Sequence, residues 1–496
     1  MKRRKRPFSL LKKNFSGKKN HFCKNKKIDT HSKTDEMRIE EIQSVYFIGA
    51  GGIGMSALVR YFLSLGKNVA GYDRTPSPLT GQLVAEGAAI HYADDPGLIP
   101  EAFRDAGSTL VVYTPAVPPE HREWTWLREH GFEIMKRSQV LGIITRSRRG
   151  LCVAGTHGKT TTSTMAAHLL QQSHVGTAAF LGGISQNYHS NLLLTDRSDY
   201  VVIEADEYDR SFHQLTPHMA VITSADPDHL DIYGTPEAYW QSFAQFTSLV
   251  QPGGTLILHE GLNIHPAVQE GVTVYSYSRD HGDFHAQNVR VGGGEIVFDF
   301  VSPHGTVRNV QLGVPVSINV DNGVAAMALA QLCGATDEEL RRGMASFRGV
   351  ERRFDFKVRN SRHVFLSDYA HHPAEIRQSA LSIRQLYPDR HITALFQPHL
   401  YSRTRDFYPD FAESLSLMDE VLLVDIYPAR EQPIPGVTTK LIYDRLAEGV
   451  QKQMISKEQI MPLLREKKDS IDVLISLGAG DIEDFVPQIT ALLGDE

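Results

Sequence analysis

A chain of 496 residues, 41% of them hydrophobic, is long enough for two to four domains with real cores. No apolar run in it reaches the length of a membrane span, and its three cysteines, Cys23, Cys152 and Cys333, are too few and too scattered for a disulfide framework, so a reducing cytoplasm is expected. The net charge of −6 is uneven: residues 1–36 hold 13 Lys and Arg against 3 Asp and Glu, which leaves 39 against 55 on an acidic body ill suited to non-specific nucleic-acid binding.

The basic segment 1–36 lacks periodicity and reads as disordered. It is taken as leader sequence ahead of a start at Met37, with a nucleic-acid or membrane-surface tail as the alternative. No apolar stretch follows its charges, as a signal peptide would require.

From Ser44 the apolar strand Val45–Ile48 runs into Gly49-Ala-Gly51-Gly52-Ile-Gly54, a helix through Leu65, and a second strand, Asn68–Tyr72, ending at Asp73. This is a Rossmann-type β-loop-α-β pattern, which holds a diphosphate at a helix N-terminus. Dinucleotides, sugar nucleotides and empty Rossmann units all use it. Asp73 can bond a ribose hydroxyl or cap the strand end. A strand at Thr109–Tyr113 leads into a turn with Pro115 and Pro118, and residues 135–138 read as the crossover to the next domain.

The stretch Cys152-Val-Ala-Gly155-Thr156-His157-Gly158-Lys159-Thr160-Thr161 organises the chain. A buried strand, a Gly-bounded turn and the first turn of a helix aim several N–H groups at one point. Lys159 can reach the β- and γ-phosphates, and the Thr160 hydroxyl can sit on Mg²⁺. The loop is one residue shorter than the usual G-x-x-x-x-G-K-[ST] spacing. Downstream, the strand Tyr200–Ile203 ends in Glu204-Ala-Asp-Glu207, and the strand Met219–Thr223 ends in Ser224-Ala-Asp-Pro-Asp-His229. In a parallel sheet both tips face the phosphate loop, where carboxylate and imidazole suit a divalent ion bridging phosphates.

Residues 254–315 read as β-hairpins. Helices follow at Asn319 onward and at Asp337–Ser346, and the segment Phe347–Asp355, with Arg352 and Arg353, reads as a linker. A third α/β unit then places Tyr369, His371, His399 and Arg403 just past the carboxyl ends of strands, as expected for a site rather than a core.

The segments FIGAGGIGMS, GTHGKTTT, EADEYD, DPDHLD, GVERRFDF, DYAHHPAEI and FQPHLYSRTRDF, in that order, resemble the Mur ligases of bacterial cell-wall synthesis along nearly all of 45–485. The resemblance implies an α/β protein of three domains. These are a Rossmann-like UDP-sugar-binding domain (37–138), a central P-loop ATPase-type parallel sheet with a small β subregion (139–348), and a Rossmann-like amino-acid-binding domain (349–496). It implies ATP and Mg²⁺, with Gly155, Thr156, His157, Gly158, Lys159, Thr160 and Thr161 on phosphates. Asn319 and Asn322 match positions near adenine, and Arg352 lies in the closing joint. Thr160, Glu204 and His229 would hold metal, and Gly51, Gly52 and Gly54 would cradle the diphosphate. Asp73 is a further candidate for the nucleotide sugar, while Tyr369, His371, His399 and Arg403 match positions at the amino-acid end, with His371 a candidate base by pKa class.

The chain departs from the family pattern at Ile318, where a histidine is common, and at Leu400, where an arginine is common. That leaves Arg403, with Arg405 beside it, to clamp a carboxylate. No lysine lies between His229 and Gln269 to be carbamylated. Within the family, DPDHLDIYG and SRTRD look more like members that add L-alanine to UDP-N-acetylmuramate than members that recycle a murein tripeptide. Other classes stay open: an NAD-dependent oxidoreductase explains the first loop only, and an ATP-driven switch the second only. The expected partners are the two small substrates, with no nucleic acid, no stable membrane insertion, and a monomeric or homodimeric state.

Overall fold

The computed structural model describes residues 42–494, apart from 119, 293 and 430. The basic segment and the start at Met37 therefore lie outside the described residues. The first sheet is wholly parallel, in the order β3-β2-β1-β4-β5. Its strands are β1 (Ser44–Ile48), β2 (Asn68–Tyr72), β3 (Ala89–His91), β4 (Thr109–Tyr113) and β5 (Glu133–Lys136). Helices α1 (Ile53–Ser64), α2 (Pro78–Ala85) and α3 (Arg122–Glu129) return the chain between strands. Every residue of β1 is buried because it is sandwiched at the middle of the sheet. The order reverses at β1, so the carboxyl end of β1 opens onto the crevice between its neighbours.

Residues 135–138 are no loose crossover. They finish β5 and start α4 (Arg137–Ser147), which delivers the chain to β6 (Arg149–Ala154), the central strand of the next sheet. That sheet runs β12-β11-β10-β6-β9-β7-β8. Its further members are β7 (Ala178–Ser185), β8 (Ser190–Leu193), β9 (Tyr200–Glu204), β10 (Pro217–Ile222), β11 (Thr255–His259) and β12 (Thr273–Tyr277). Helix α5 (Lys159–Gln172) leaves β6, and α6 (Leu230–Tyr233) and α7 (Pro236–Thr247) follow β10. Both β9 and β10 pair with β6 in parallel, so their acidic tips flank the phosphate loop as the sequence implied. The hairpin expectation for 254–315 is half right. β11 and β12 extend the parallel sheet, while β13 (His285–Gly292), β14 (Glu295–Ser302) and β15 (Gly305–Gln311) form the antiparallel three-stranded sheet. Short apolar runs carry no mark of strand direction, which partner strands decide.

Helix α8 (Ile318–Leu332) is buried on nearly all sides, and its run of alanines packs close to α5. After α9 (Asp337–Ser346), the joint 349–351 pairs with the end of β7: Gln186 N–H donates to Gly349 O at 3.0 Å and Glu351 N–H to Ile184 O at 2.9 Å. The last sheet, β16-β17-β21-β18-β19-β20, is parallel apart from β16. It contains β16 (Asp355–Arg359), β17 (Val364–Asp368), β18 (Ile392–Phe396), β19 (Glu420–Val424), β20 (Gln451–Ile455) and β21 (Val473–Leu477). Helix α10 (Pro373–Leu386) follows β17 and α11 (Tyr401–Leu415) follows β18.

The first sheet's helix α1 lies against β7 and β8. The ring of Tyr61 meets Phe180 edge-on at 5.3 Å. Asn191, fully buried, donates to Ile53 O at 2.5 Å and Ser56 Oγ at 2.8 Å and accepts from Arg60 at 2.7 Å. Each polar atom of that amide is spent on α1, so the helix behind the first glycine loop is tied to the central sheet. No helix among the described residues is long and apolar enough to cross a membrane, and Cys152 and Cys333 are both free thiols.

Candidate active site

The phosphate loop begins where β6 runs out. Gly155 has φ 138°, and a Cβ there would lie 2.1 Å from Thr223 Oγ1, so only glycine lets the turn press against the end of β10. Gly158, φ 79°, is the N-cap of α5, and a Cβ on it would sit 2.7 Å from Asn322 Oδ1. The Thr156 hydroxyl donates to Asp226 O at 2.7 Å, and His157 N–H donates to Ser224 Oγ at 2.7 Å. The imidazole of His157 is half exposed, so the loop is not packed shut.

Lys159 is folded back over its own loop. Its ammonium donates to Gly155 O at 2.5 Å, to Thr156 O at 3.3 Å and to Glu207 Oε1 at 2.9 Å. Burial works against the charge, but Glu207 and then Glu204 outweigh it and hold the pKa above its ordinary value. Glu207 is 2% exposed and is the functional residue that sequence reasoning passed over. It sits in the acidic tip with Glu204, and only the folded chain separates the two: the Glu207 carboxylate meets the lysine, the Glu204 carboxylate does not.

Glu204 Oε2 is buried without a hydrogen-bond partner. A Cβ at Gly182 on β7 would fall 2.1 Å from that oxygen, so the glycine exists to make room for the carboxylate. The Thr160 hydroxyl makes no hydrogen bond within the described protein, whereas the Thr162 hydroxyl is spent on Asn322 Oδ1 at 3.2 Å. His229 adopts φ 53° at the start of α6, its ring edge-on to Tyr208 at 5.1 Å. No three His, Cys, Asp or Glu side chains among the described residues converge on a metal position. Mg²⁺ keeps waters and substrate phosphates and uses one or two protein carboxylates. An orphaned buried carboxylate oxygen beside a phosphate loop and an unspent threonine hydroxyl fit such an ion.

Asn322 donates to Asn319 Oδ1 at 3.0 Å, and Asn319 donates to Val314 O at 3.3 Å, so this buried pair braces the phosphate loop. Ile318, in the place of a histidine, is 46% exposed at the start of α8. Asp73 accepts from Gly51 N–H at 2.6 Å and from Thr75 N–H at 3.2 Å. The Gly51 N–H is therefore taken, and the open part of the first loop is Gly52 and Gly54. These line a cavity of about 310 Å³ with Arg137, Gly182, Glu204 and Asp206, which joins the first glycine loop to the tip of the central sheet.

Across the joint, Arg352 has φ 62°, and its guanidinium lies 4.7 Å from the Tyr369 ring centroid. Glu483 Oε2 is 3.0 Å from Arg352 Nε in ion-pair rather than hydrogen-bond geometry, and Nη2 is buried without a partner. The His371 ring packs against Tyr369 at 5.2 Å and His399 at 6.0 Å, and its Nδ1 lies 3.0 Å from Tyr369 O. A carbonyl can only accept, so Nδ1 carries the proton and Nε2 keeps its lone pair. Burial pushes the His371 pKa down, only partly offset by Glu375. Arg403 keeps Nη1 buried and unpaired. Arg405 is no second clamp: it is exposed and bonded to Asp406 at 2.7 Å and 3.0 Å. Leu400 begins α11 at φ 71°, a conformation rare for a branched side chain.

Three α/β lobes, a phosphate loop with an orphaned carboxylate beside it, and a histidine–arginine cluster beyond a joint define the architecture of an ATP-dependent ligase. Family models agree along the chain: Mur ligase family, catalytic domain, matches residues 44–149, Mur ligase middle domain 153–330, and Mur ligase, glutamate ligase domain 352–480. The chain belongs to the Mur ligase family. It is 69% identical over 457 residues to the UDP-N-acetylmuramate–L-alanine ligase of Phocaeicola vulgatus, covering 92% of this chain and 99% of that one. It is 58% identical over 458 residues to the ligase of the same name from Parabacteroides distasonis, covering 92% and 98%. Among solved structures it matches the UDP-N-acetylmuramate–alanine ligase of Thermotoga maritima with TM-score 0.76 and 26% identity, covering 90% of this chain and 98% of that one. The murein peptide ligase of Psychrobacter arcticus shares the fold with TM-score 0.64 at 21% identity, covering 92% and 99%.

Proposed function

We propose that this chain joins L-alanine to UDP-N-acetylmuramate at the expense of ATP, giving UDP-N-acetylmuramoyl-L-alanine, ADP and phosphate for peptidoglycan synthesis. The observation that carries the reading is the 69% identity, along nearly the whole of both chains, to a ligase named for those two substrates. The lobes are drawn at 37–138 for the UDP-sugar, 139–348 for ATP and 349–496 for the amino acid.

A carboxylate resists attack by an amine because its charge is delocalised. Transfer of the γ-phosphoryl group of ATP to it gives an acyl phosphate, whose carbon is electrophilic and whose phosphate can leave. Lys159 and the N–H groups of the loop neutralise charge on the moving phosphoryl, so this step is positioning plus electrostatics. Lys159 must first exchange its carbonyl partners for phosphate oxygens, with Glu207 keeping it charged meanwhile. When bound, Mg²⁺ offsets the charge on the β- and γ-phosphates; Thr160, Glu204 and His229 would hold it. Arg403, with its free buried Nη1, would receive the alanine carboxylate. The His371 Nε2, neutral because of its burial, would take the ammonium proton so that the amine attacks. Water would destroy the acyl phosphate, so the joint at 349–355 should close before phosphoryl transfer.

The deciding experiment measures phosphate release with ATP and UDP-N-acetylmuramate, omitting and then adding single amino acids or the murein tripeptide. Release that depends on L-alanine is the expected result. Release supported by the tripeptide and not by alanine sinks the reading in favour of a recycling ligase.

A further inference from the structure

A threonine in a helix commonly turns its hydroxyl back to a carbonyl three or four residues earlier. Thr164 does so, donating to Thr160 O at 2.7 Å. Thr160, one turn before it, does not. The two carbonyls within its reach are engaged already. Thr156 O accepts from Lys159 at 3.3 Å, and His157 O accepts from the Thr223 hydroxyl at 2.5 Å and the Ser224 hydroxyl at 3.3 Å. A β-branched side chain has few χ1 choices, so the seat of the methyl decides where the hydroxyl points.

That seat is on β7. A Cβ on Gly183 would lie 2.5 Å from Val350 Cγ1 and 3.2 Å from Thr160 Cγ2, so both methyls rest over bare backbone. The preceding Gly182 makes the same room for the Glu204 carboxylate. Thr160 and Glu204, both candidate metal ligands, are thus seated on one glycine pair. Val350 comes from the joint. It is 2% exposed and bridges antiparallel to Ser185, between the two hydrogen bonds that stitch Gly349 and Glu351 to the end of β7. Two residues on, Arg352 O accepts from Tyr369 N–H at 2.7 Å, past the end of β17 in the last lobe.

We propose that Val350 is a positioning residue for Thr160: it holds the threonine methyl over Gly183, which keeps the hydroxyl turned out for Mg²⁺. The inference rests on the reading that Thr160 serves the ion bound with ATP. Close-packed methyls cannot move independently, so a displacement of the joint is felt at once by the threonine. The last lobe and the metal position therefore share one packing contact, and the arrangement of the lobes sets how well the loop receives the ion.

The test is calorimetric binding of ATP to the full chain with and without Mg²⁺, in wild type, V350A, T160S and the double variant, together with a metal-free crystal structure of V350A. V350A should cut the gain in ATP affinity that Mg²⁺ brings by about three- to tenfold. Its affinity for metal-free ATP should stay within about twofold of wild type, and Thr160 should take up a second rotamer. In T160S, which has a hydroxyl but no methyl to seat, V350A should change nothing further. Wild type that binds no ATP, or binds it regardless of Mg²⁺, refutes the metal reading of Thr160 itself. Wild type that responds to Mg²⁺, with V350A responding equally or with Thr160 unmoved in its structure, refutes the role of Val350 alone. Equal losses with and without Mg²⁺, or additive losses in the double variant, show a general packing role and overturn the proposal. Should V350A fail to fold by circular dichroism, G183A replaces it. Its methyl displaces the same two side chains, so the same loss is expected, and an unchanged response to Mg²⁺ overturns the proposal.

Discussion

The loops after β1 and after β6 are one device used twice: a buried parallel strand, a glycine turn and a helix whose first N–H groups face a crevice. They differ in where the positive charge comes from. The loop after β6 carries Lys159 four residues past its first glycine and keeps it folded on its own carbonyls, with Glu207 as counter-charge. The loop after β1 carries none, and its nearest guanidinium, Arg137, belongs to the helix after β5, some 80 residues later along the chain. A lysine within the loop can be read from a short window of sequence; a guanidinium brought against the loop by a distant helix cannot.

The sharpest way to break this contrast is to remove the resident lysine. Lys159→Ala should reduce ADP formation by about a thousandfold or more while leaving UDP binding intact. Measurable turnover near the wild-type rate would mean that Lys159 is not the cation the phosphoryl transfer needs. Next in size, Arg403→Ala should raise the KM for alanine by about 10- to 100-fold, with a smaller change in the KM for ATP. Equal changes in both would argue that Arg403 holds the lobe and not the amino acid. Gly155→Ala tests the turn itself. A methyl 2.1 Å from Thr223 Oγ1, on a residue with φ 138°, should cost about 1–3 kcal/mol of stability and raise the KM for ATP. A melting temperature and a KM both unchanged would contradict that packing.

Two smaller effects concern the first sheet. Asn191→Leu removes the three hydrogen bonds that hold α1 to β8. It should weaken UDP-sugar binding by about three- to tenfold with less effect on ATP; a change confined to ATP would show that the tie serves the central loop instead. Glu123 of α3, fully buried and bonded to the Tyr46 hydroxyl at 2.7 Å, has its carboxyl pushed by burial from the usual 4.5 up to about 7. Between those values the folded chain holds a proton that the unfolded chain has released, so this group lowers stability as pH rises through the window. Glu123→Gln should therefore gain a few degrees of melting temperature relative to wild type between the acid and the neutral end of that range. A difference that stays flat with pH would show that Glu123 does not titrate there.

Elements legible in the sequence share one property: their evidence is local. The strands Asn68–Tyr72 and Thr109–Tyr113 and the helix Asp337–Ser346 have the bounds that periodicity and capping residues implied. The phosphate loop was equally plain. Relations between distant segments were not. The direction of β11 and β12 depends on partners β10 and β11 rather than on their own residues. Asp73 accepts from Gly51, Asn322 bonds Thr162 and Asn319, and Arg405 pairs with Asp406, each a choice among several partners of the same chemical type. Short polar side chains have no periodicity to betray which neighbour they will find.

What the amino-acid sequence determined alone was the family, the alternation of strand and helix, and the glycine turns. These follow from backbone sterics and from the spacing of apolar residues along a few turns of chain. What only the tertiary structure decided was the pairing of charges: Lys159 with Glu207, Arg137 with Asp206, and Glu204 left unpaired. Coulomb interactions act through space between groups dozens of residues apart, so their partners exist only once the sheets have been ordered and the lobes docked.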